Sequence, residues 1–313
     1  MQEVNLGRTG LRTSALGLGS GGFSRLGASQ NKGDDNAVRV VRAALDVGIT
    51  FIDTAQAYGT EAVIGEALQQ GRPPGLVLST KFSYRTGDRL KTPDEVVASL
   101  DASLKNLRTD CVDIYHVHGV RADDYPTVLD TMVPVLLRQR ESGKLRFLGI
   151  TEAFGGDTAH RTLQRAVQDD CWDVMMVGFN LLNHSARERV FRATQARGIA
   201  TLCMFAVRQA LISMERLGSY LKMQTGGKGV DARVLQALPL LHGLLDGGQC
   251  ESLTEAAYRY CRHEPGLDCL LIGTGSVEHL RQNIADAQKP PLPPEFLAAF
   301  EPLFAGVAAM SGQ

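Results

Sequence analysis

Residues 48–68, GITFIDTAQAYGTEAVIGEAL, hold the pattern that decides the fold. A short apolar run, Thr50–Asp53, predicts a buried strand. Glu61–Gln69 has apolar residues at helical spacing and predicts a helix. The same unit of a strand followed by a helix recurs along the chain. This alternation indicates right-handed crossovers and a parallel sheet that is covered by helices on both faces.

Eight strands are predicted: Leu16–Leu18, Thr50–Asp53, Leu76–Thr80, Val112–Val117, Leu145–Ile150, Val174–Val177, Ala200–Phe205 and Cys269–Ile272. The predicted helices are Asp34–Val47, Glu61–Gln69, Pro93–Leu107, Pro126–Ser142, Thr158–Gln168, Ala186–Arg197, Leu253–Cys261 and Val277–Ala287. Eight strand–helix pairs favour an α/β fold of the (β/α)8 TIM-barrel type, with residues 1–313 as a single barrel domain. The alternative is a six-stranded doubly wound sheet with a small second domain.

Two segments fall outside this alternation. Val4–Leu16 has a polar hairpin pattern, and we expect this N-terminal β-hairpin to form the floor of the barrel. Ala206–Cys250 is predicted as a long loop after the seventh strand. Long loops in compact domains are usually functional or locally helical, and this one would lie at the C-terminal face, where barrel enzymes build their active sites.

Composition excludes several classes of protein. Apolar residues make up 44% of the chain, charged residues 21%, and the formal net charge is −1. No global field therefore attracts nucleic acid or an anionic membrane, and no apolar stretch is long enough for a membrane helix. The first ten residues, MQEVNLGRTG, show no signal-peptide pattern, and the six cysteines form no CxxC pair. We expect a cytoplasmic protein with reduced thiols and neither a disulfide framework nor a zinc site.

The run Gly17–Gly22 matches the dinucleotide fingerprint GxGxxG, but the match is weak. A Rossmann site needs a helix that starts within this turn, whereas the next helical pattern starts only at Asp34. One reading is a flexible first loop at the mouth of the barrel. The other is a loop whose backbone amides, at Gly19, Ser20 and Gly21, approach a phosphate of a ligand.

Four polar residues, Asp53, Tyr58, Lys81 and His118, stand at or just beyond the ends of three successive strands. In a barrel these ends are neighbours on one rim, so the four side chains can converge. A tyrosine pKa of about 10 is too high for efficient proton transfer near neutrality, and a nearby ammonium lowers it. We expect Lys81 to lower the pKa of Tyr58, Asp53 to keep Lys81 charged, and neutral His118 to polarise a carbonyl oxygen. This set suits a proton donor to a carbonyl group that receives a hydride.

Here the chain resembles the aldo-keto reductase superfamily along most of its length. The motifs are LGRTGL, LGLGS, GITFIDTAQAYG with EAVIGEAL, LVLSTK, VDIYHVHG, LRFLGIT, FNLLN and IGTGSVEHLRQN. The resemblance implies a (β/α)8 barrel that binds a nicotinamide cofactor across its C-terminal face and reversibly reduces aldehydes or ketones. It also implies that Tyr58 is the general acid, that Lys81 and Asp53 tune it, and that His118 orients the carbonyl.

A second histidine, His116, lies two residues before His118 on the same face of the strand. No third ligand at suitable spacing accompanies the pair, so no metal site is predicted. The resembled family more often has an apolar residue at this position. His116 either adds polarity below the site or forms a hydrogen bond within the barrel.

The predicted contacts to the nicotinamide depart from the pattern of the resembled family. Thr151 and Glu152 stand where the family has Ser-Asn, and Met176 stands where it has Gln. An ionised Glu152 cannot donate a hydrogen bond, and Met176 is only a weak acceptor. Met204 aligns with the aromatic residue that stacks on the nicotinamide, and Phe205 beside it is the alternative. Recognition of the carboxamide is therefore expected to be rearranged.

The predicted contacts to the adenosine phosphate lie in the segment LIGTGSVEHLRQN. They are Gly273, Thr274, Gly275, Ser276, His279 and Asn283. A helix start of this kind is an anion site. Relatives that prefer NADP usually place Lys or Arg here, and this chain offers only Arg208 and Arg281 nearby. The resemblance favours NADP(H) over NAD(H), and NAD(H) stays open.

Three functions are compatible with these residues. The first is an NAD(P)-dependent reductase of a small carbonyl compound or a sugar (aldose) dehydrogenase that uses NAD. The second is a catalytically weak barrel that binds NADP(H) and regulates a partner. The third is an aldolase with Lys81 as the Schiff-base nucleophile.

Overall fold

Eight parallel strands close into a barrel in this computed structural model, which describes residues 1–69, 71–227 and 229–313. Numbered in chain order, barrel strands 1 to 8 are Leu16–Gly19, Phe51–Asp53, Val77–Ser83, Val112–Val120, Leu145–Glu152, Val174–Gly178, Ala200–Met204 and Cys269–Ile272. Each strand pairs with its sequence neighbours, and strand 8 pairs with strand 1 through Leu270 opposite Leu16. Closure confirms the predicted (β/α)8 barrel and rules out the doubly wound sheet.

The α-helices surround the barrel. Their bounds are Gly33–Asp46, Glu61–Gln69, Pro93–Leu107, Tyr125–Thr131, Val133–Glu141, Arg161–Ala166, Arg192–Arg197, Met214–Gly227, Ala237–Asp246, Leu253–Arg262, Val277–Gln288 and Pro294–Phe300. Helix Pro93–Leu107 begins with a capping box, in which Thr92 and Glu95 bond reciprocally. None of the described helices is long and apolar enough to cross a membrane.

Three predicted helices are wrong in their bounds. The one predicted over Ala186–Arg197 starts as a π-helix, Arg187–Phe191, and is α-helical only over Arg192–Arg197. The predicted helix Pro126–Ser142 is broken at Met132, because Pro134 lies in the first turn of the next helix and has no amide hydrogen. The predicted helix Thr158–Gln168 begins only at Arg161. There His160 adopts a left-handed φ of 59°, and the Asp157 carboxylate accepts the amide hydrogen bonds that start the helix.

The N-terminal hairpin is confirmed as the floor of the barrel. Its strands Glu3–Asn5 and Arg12–Ser14 pair antiparallel. Leu6 is fully buried beside Leu11, and both pack with Phe51 of strand 2 and with other side chains from the lower ends of the strands. The hairpin therefore closes the end of the barrel opposite the predicted site.

The long segment Ala206–Cys250 after strand 7 is locally helical, which is one of the two outcomes expected for a loop of this length. It contains helices Met214–Gly227 and Ala237–Asp246, while Lys228 between them lies outside the described residues. Leu217 and Leu221, four positions apart, are fully buried and fix one face of the first helix on the barrel. Helical spacing of the apolar residues was the signal for these helices.

The floor of the barrel generates a stability prediction. Replacing Leu6 by Ala should reduce the free energy of unfolding by about 2–5 kcal/mol, because it leaves a cavity under the barrel. Chemical denaturation measures this change, and the exposed Met223→Ala serves as the control with little effect. A loss below about 1 kcal/mol for Leu6→Ala would contradict a closing role for the hairpin.

Candidate active site

The structure brings Asp53, Tyr58, Lys81 and His118 together at the C-terminal end of the barrel. Asp53 ends strand 2, while Lys81 and His118 lie near the ends of strands 3 and 4. Tyr58 ends a single 3-10 turn, and Gly59 then takes a left-handed φ of 72° that stops the turn. The closed barrel places these three strand ends side by side, as the sequence predicted.

A buried ion pair forms the base of the site. The Nζ atom of Lys81 lies 2.5 Å from Oδ2 of Asp53 and also donates to the carbonyl of Thr54 at 2.8 Å. Ser79 donates to the other oxygen of Asp53 at 2.8 Å. Burial alone would lower the pKa of Lys81, but the charge of Asp53 and contact with Tyr58 raise it above its ordinary value. Lys81 is therefore held as an ammonium.

Tyr58 lies directly above this pair. Its hydroxyl is 3.4 Å from Nε2 of His118, and Nζ of Lys81 is 5.1 Å from the centre of its ring. Gly21 lies against the other side of the ring, where a Cβ atom would come within 2.5 Å of Cε2. A glycine is thus required beside the tyrosine.

The expected net lowering of the Tyr58 pKa is wrong. Burial raises the pKa of the hydroxyl above its ordinary 10.0, and this effect exceeds the lowering by Lys81. Lys81 acts in the expected direction but does not dominate in the free protein. Tyr58 is consequently a protonated hydroxyl throughout the neutral range.

His118 is a neutral imidazole. Burial, followed by the charge of Lys81, lowers its pKa from 6.5 to about 3. Its ring meets that of Tyr58 edge to face, with the two centres 5.5 Å apart. A neutral ring can donate one hydrogen bond to an oxygen atom beside the tyrosine hydroxyl.

A cleft of about 340 Å³ opens from Tyr58 and His118 across strands 5 to 7. It is lined by the five predicted nicotinamide contacts, Thr151, Glu152, Met176, Met204 and Phe205. It is also lined by Phe154 and Arg208, which the sequence analysis did not include among those contacts. The structure therefore joins two of the candidate catalytic residues, Tyr58 and His118, and these predicted contacts in one cleft.

The carboxylate of Glu152, although it lines the cleft, is bound by neighbours that the sequence did not reveal. Both of its carboxylate oxygens lie 2.9 Å from Nδ1 of His160, and one also accepts from the amide of Gly178 at 2.9 Å. The side chains of Glu152 and His160 are fully buried. The hydroxyl oxygen of Thr151 accepts a hydrogen bond from the amide of Gly119 at 2.7 Å. The hydroxyl proton is therefore available to another acceptor. Thr151 is thus better placed than Glu152 to bind a polar group in the cleft.

Phe205 is engaged in a stack of its own. Its ring centre lies 5.9 Å from that of Phe154 and 4.0 Å from the guanidinium carbon of Arg208. Phe205 also adopts a left-handed φ of 69°, which is uncommon for an aromatic residue. These contacts favour Met204 over Phe205 as the side chain that covers a ring in the cleft.

The glycine-rich run Gly17–Gly22 begins inside strand 1 and leads into a loop, since the next α-helix begins only at Gly33. This rules out the Rossmann arrangement. The hydroxyl of Ser20 lies 2.8 Å from that of Thr60 and its amide donates to the carbonyl of Asp53, so both groups are used within the protein. Of the three residues predicted here, Gly21 lies closest to the catalytic group, against Tyr58.

The segment after strand 8 starts a helix, as expected. Ser276 caps Val277–Gln288 by accepting from the amide of His279, which is exposed. Two residues not singled out by the sequence, Lys32 and Asn36, donate to the carbonyl of Gly275 at 3.2 and 3.1 Å.

Gly275 also lies against the loop after strand 1, because a Cβ atom there would be 2.6 Å from Gly27. The remaining predicted contacts of this segment differ in exposure. Gly273 is exposed, Thr274 is buried and Asn283 is half-buried. Lys32 is thus a cation beside the predicted phosphate segment. It lies far from this segment in sequence, so spacing gave no signal for it.

Comparison with known proteins identifies the family. A model of the aldo/keto reductase family matches residues 15–303, so the chain belongs to this family and is an oxidoreductase. It is 36% identical to the L-galactose dehydrogenase of Arabidopsis thaliana over 153 residues. That match covers 47% of this chain and 47% of the relative, so it spans about half the length of each.

A solved structure shows the same fold. The holo form of an aldo-keto reductase from Bacillus halodurans superposes with a TM-score of 0.75 at 22% identity. The superposition covers 97% of this chain and 96% of that one. At this identity the likeness concerns the fold, and it agrees with the closed barrel described above.

The ion pair between Lys81 and Asp53 leads to a prediction about how the reaction rate depends on pH. Replacing Lys81 by Met removes the group that lowers the Tyr58 pKa, so that pKa should rise further. If Tyr58 accepts the proton in alcohol oxidation, as the sequence leads us to expect, the pH–rate profile of that reaction should move to higher pH and its rate should fall at neutral pH.

The double variant Asp53→Asn/Lys81→Met is the control for Lys81→Met. It leaves no unpaired buried carboxylate, so it should recover stability without recovering activity. Full activity with an unchanged pH profile in Lys81→Met would remove Lys81 from the mechanism.

Proposed function

We propose that the protein interconverts a small carbonyl compound and its alcohol with a nicotinamide cofactor, and that Tyr58 is the proton donor in reduction. The observation that carries this proposal is the Tyr58 hydroxyl within 3.4 Å of a neutral histidine and above a buried Lys81–Asp53 pair. A hydroxyl donor, a neutral polarising group and a fixed cation are what a carbonyl oxygen needs as it gains negative charge.

The residues in the cleft fit a nicotinamide dinucleotide. The cofactor, when bound, supplies the hydride. Thr151 offers a hydroxyl to a carboxamide, and Met204 offers an apolar surface to a ring. Beyond strand 8, the start of helix Val277–Gln288 and the nearby Lys32 suit the phosphates.

The chain's own residues then handle the proton. The carbonyl oxygen accepts hydrogen bonds from the Tyr58 hydroxyl and from Nε2 of His118. As negative charge develops on that oxygen, Tyr58 transfers its proton, and the ammonium of Lys81 stabilises the phenolate that results. Asp53 and the carbonyl of Thr54 keep Lys81 charged and in place. In alcohol oxidation the same groups act in reverse.

The ionisation of Lys81 argues against the aldolase. A Schiff base forms only from an unprotonated amine, whereas Asp53 and Tyr58 raise the pKa of this lysine. The regulatory barrel is disfavoured for a different reason, since all four residues of the catalytic arrangement lie together. Protein that binds cofactor tightly yet turns over no carbonyl compound would revive that reading.

The second candidate function is an aldose dehydrogenase that uses NAD. The observation in its favour is the 36% identity to a protein named L-galactose dehydrogenase over about half of this chain. Two assays separate the candidates: reduction of an aldehyde panel with NADPH or NADH, and oxidation of aldoses with NAD or NADP. NADP(H) is our first choice of cofactor.

Replacing Tyr58 by Phe tests the proposed proton donor. It should lower the rate of carbonyl reduction by about 10²–10⁴-fold and leave cofactor affinity within a few-fold, since the hydroxyl acts on the substrate oxygen. Steady-state kinetics and a fluorescence titration with reduced cofactor measure the two quantities. A variant that retains more than about a tenth of the wild-type rate would contradict this role.

The preference between NADPH and NADH should be modest. His279 is exposed at the start of helix Val277–Gln288, and an exposed side chain there contributes little to binding a phosphate, so we expect a preference for NADPH below roughly a hundredfold. His279→Arg should strengthen NADPH binding, and NADH is the control ligand. A strong preference that does not change in His279→Ala would point to Lys32, Arg208 or Arg281 instead.

A further inference from the structure

His116 is a buried polar side chain for which the proposed mechanism has no use. It lies on strand 4, two residues before His118, and is 0% exposed. Neither Nδ1 nor Nε2 has a hydrogen-bond partner of normal geometry among the described residues. The main chain of Ile150 is close enough to act on the ring as a weak acceptor. Buried polar groups almost always have a partner in the protein or an ordered water, so at least one nitrogen needs one.

The barrel makes room for this imidazole. In the strand register His116 is opposite Lys81 on one side and Gly149 on the other. A Cβ atom at position 149 would lie 2.1 Å from Nδ1 of His116, so the ring occupies space that only a glycine leaves free. A side chain at 149 and an imidazole at 116 therefore exclude each other.

His116 is neutral in these surroundings. Burial first, then the charge of Lys81 from strand 3 and the neighbouring His118, hold its pKa well below the ordinary value. Strand 5 contributes Gly149 and Ile150 and adds no charge. A neutral imidazole has one donor and one acceptor, and Ile150 is at hand for the donor. The acceptor nitrogen is then free to take a hydrogen bond from water.

His118 needs such a partner if it is to act as proposed. Its Nε2 faces the Tyr58 hydroxyl and must carry the proton in order to donate to a carbonyl oxygen. In a neutral ring Nδ1 is then a bare acceptor, and the hydrogen bond made by one nitrogen decides which nitrogen is protonated. A donor at Nδ1 would fix the required tautomer.

We propose that His116 is a positioning residue that holds an internal water, and that this water donates to Nδ1 of His118 and keeps the proton of His118 on Nε2. One hydrogen of the water goes to the acceptor nitrogen of His116 and the other to His118. The inference rests on the proposed function for the role of His118 toward substrate. The coupling between the two histidines is a property of the free protein and does not depend on turnover.

Nuclear magnetic resonance of protein with isotope-labelled histidine nitrogens tests the coupling without substrate. The signals of His118 are assigned by their absence in His118→Asn. We expect the Nε2-protonated tautomer in the wild type, a mixture or the other tautomer in His116→Leu, and the wild-type form again in His116→Gln, whose amide can hold the water. If His116→Leu does not fold, His116→Met takes its place as the apolar variant, and an unchanged His118 tautomer in it would contradict the coupling.

Kinetics give the second readout. In His116→Leu, kcat for carbonyl reduction should fall roughly 10- to 100-fold because the polarising group is partly in the wrong tautomer, with KM for the cofactor nearly unchanged. His116→Gln should restore most of the rate.

His184→Leu is the matched control for loss of stability, since His184 is also a buried histidine but bonds to the carbonyl of Leu181 away from the site. It should lower the melting temperature without changing the His118 tautomer.

Two results would overturn the inference. One is a wild-type His118 that is protonated on Nδ1. The other is a His116→Leu protein whose His118 tautomer and kcat stay within about twofold of wild type, which would make His116 a packing residue only. A wild-type protein that binds or reduces nothing while the tautomer still responds to position 116 would instead contradict the proposed function and leave the coupling in place.

Discussion

The ion pair between Asp53 and Lys81 is the interaction on which the site depends. Two opposite charges 2.5 Å apart, with both side chains almost completely buried, persist only when further hydrogen bonds satisfy them. Thr54 and Ser79 supply these bonds from the same two strands. The pair holds the Lys81 ammonium in place below Tyr58, and this ammonium also lowers the pKa of His118. Burial is the larger cause of the neutral histidine, and the charge of Lys81 reinforces it.

The fold and the convergence of the candidate catalytic residues could be predicted because each rests on a local pattern. Strand and helix periodicities gave the barrel, and strand ends gave Asp53, Lys81 and His118. The direction of the Tyr58 pKa could not be predicted, because it depends on a balance between burial and charge that only the packed site defines. The partner of Glu152 was equally hidden, since His160 reaches it through an irregular turn with a left-handed residue.

This buried Glu152–His160 pair makes the cleft unlike the expected pattern. It binds the Glu152 carboxylate to groups of the protein itself, among them the amide of Gly178. Gly178 also leaves space for Phe154, because a Cβ atom at position 178 would lie 2.3 Å from the Phe154 ring. Phe154 then stacks on both His160 and Phe205. An aromatic wall therefore lies beside the cleft, and we propose that Thr151 supplies the polar group toward a carboxamide.

The central claim is that a bound cofactor gives a hydride to a carbonyl carbon in this cleft while the protein supplies the proton. The most direct measurement is single-turnover reduction of an aldehyde with cofactor deuterated at the transferring position, in ordinary and in heavy water. The account predicts deuterium on the product carbon, a primary isotope effect, and a solvent isotope effect on the same step. Product without deuterium from the cofactor, or no reduction by protein that binds the cofactor, would contradict it.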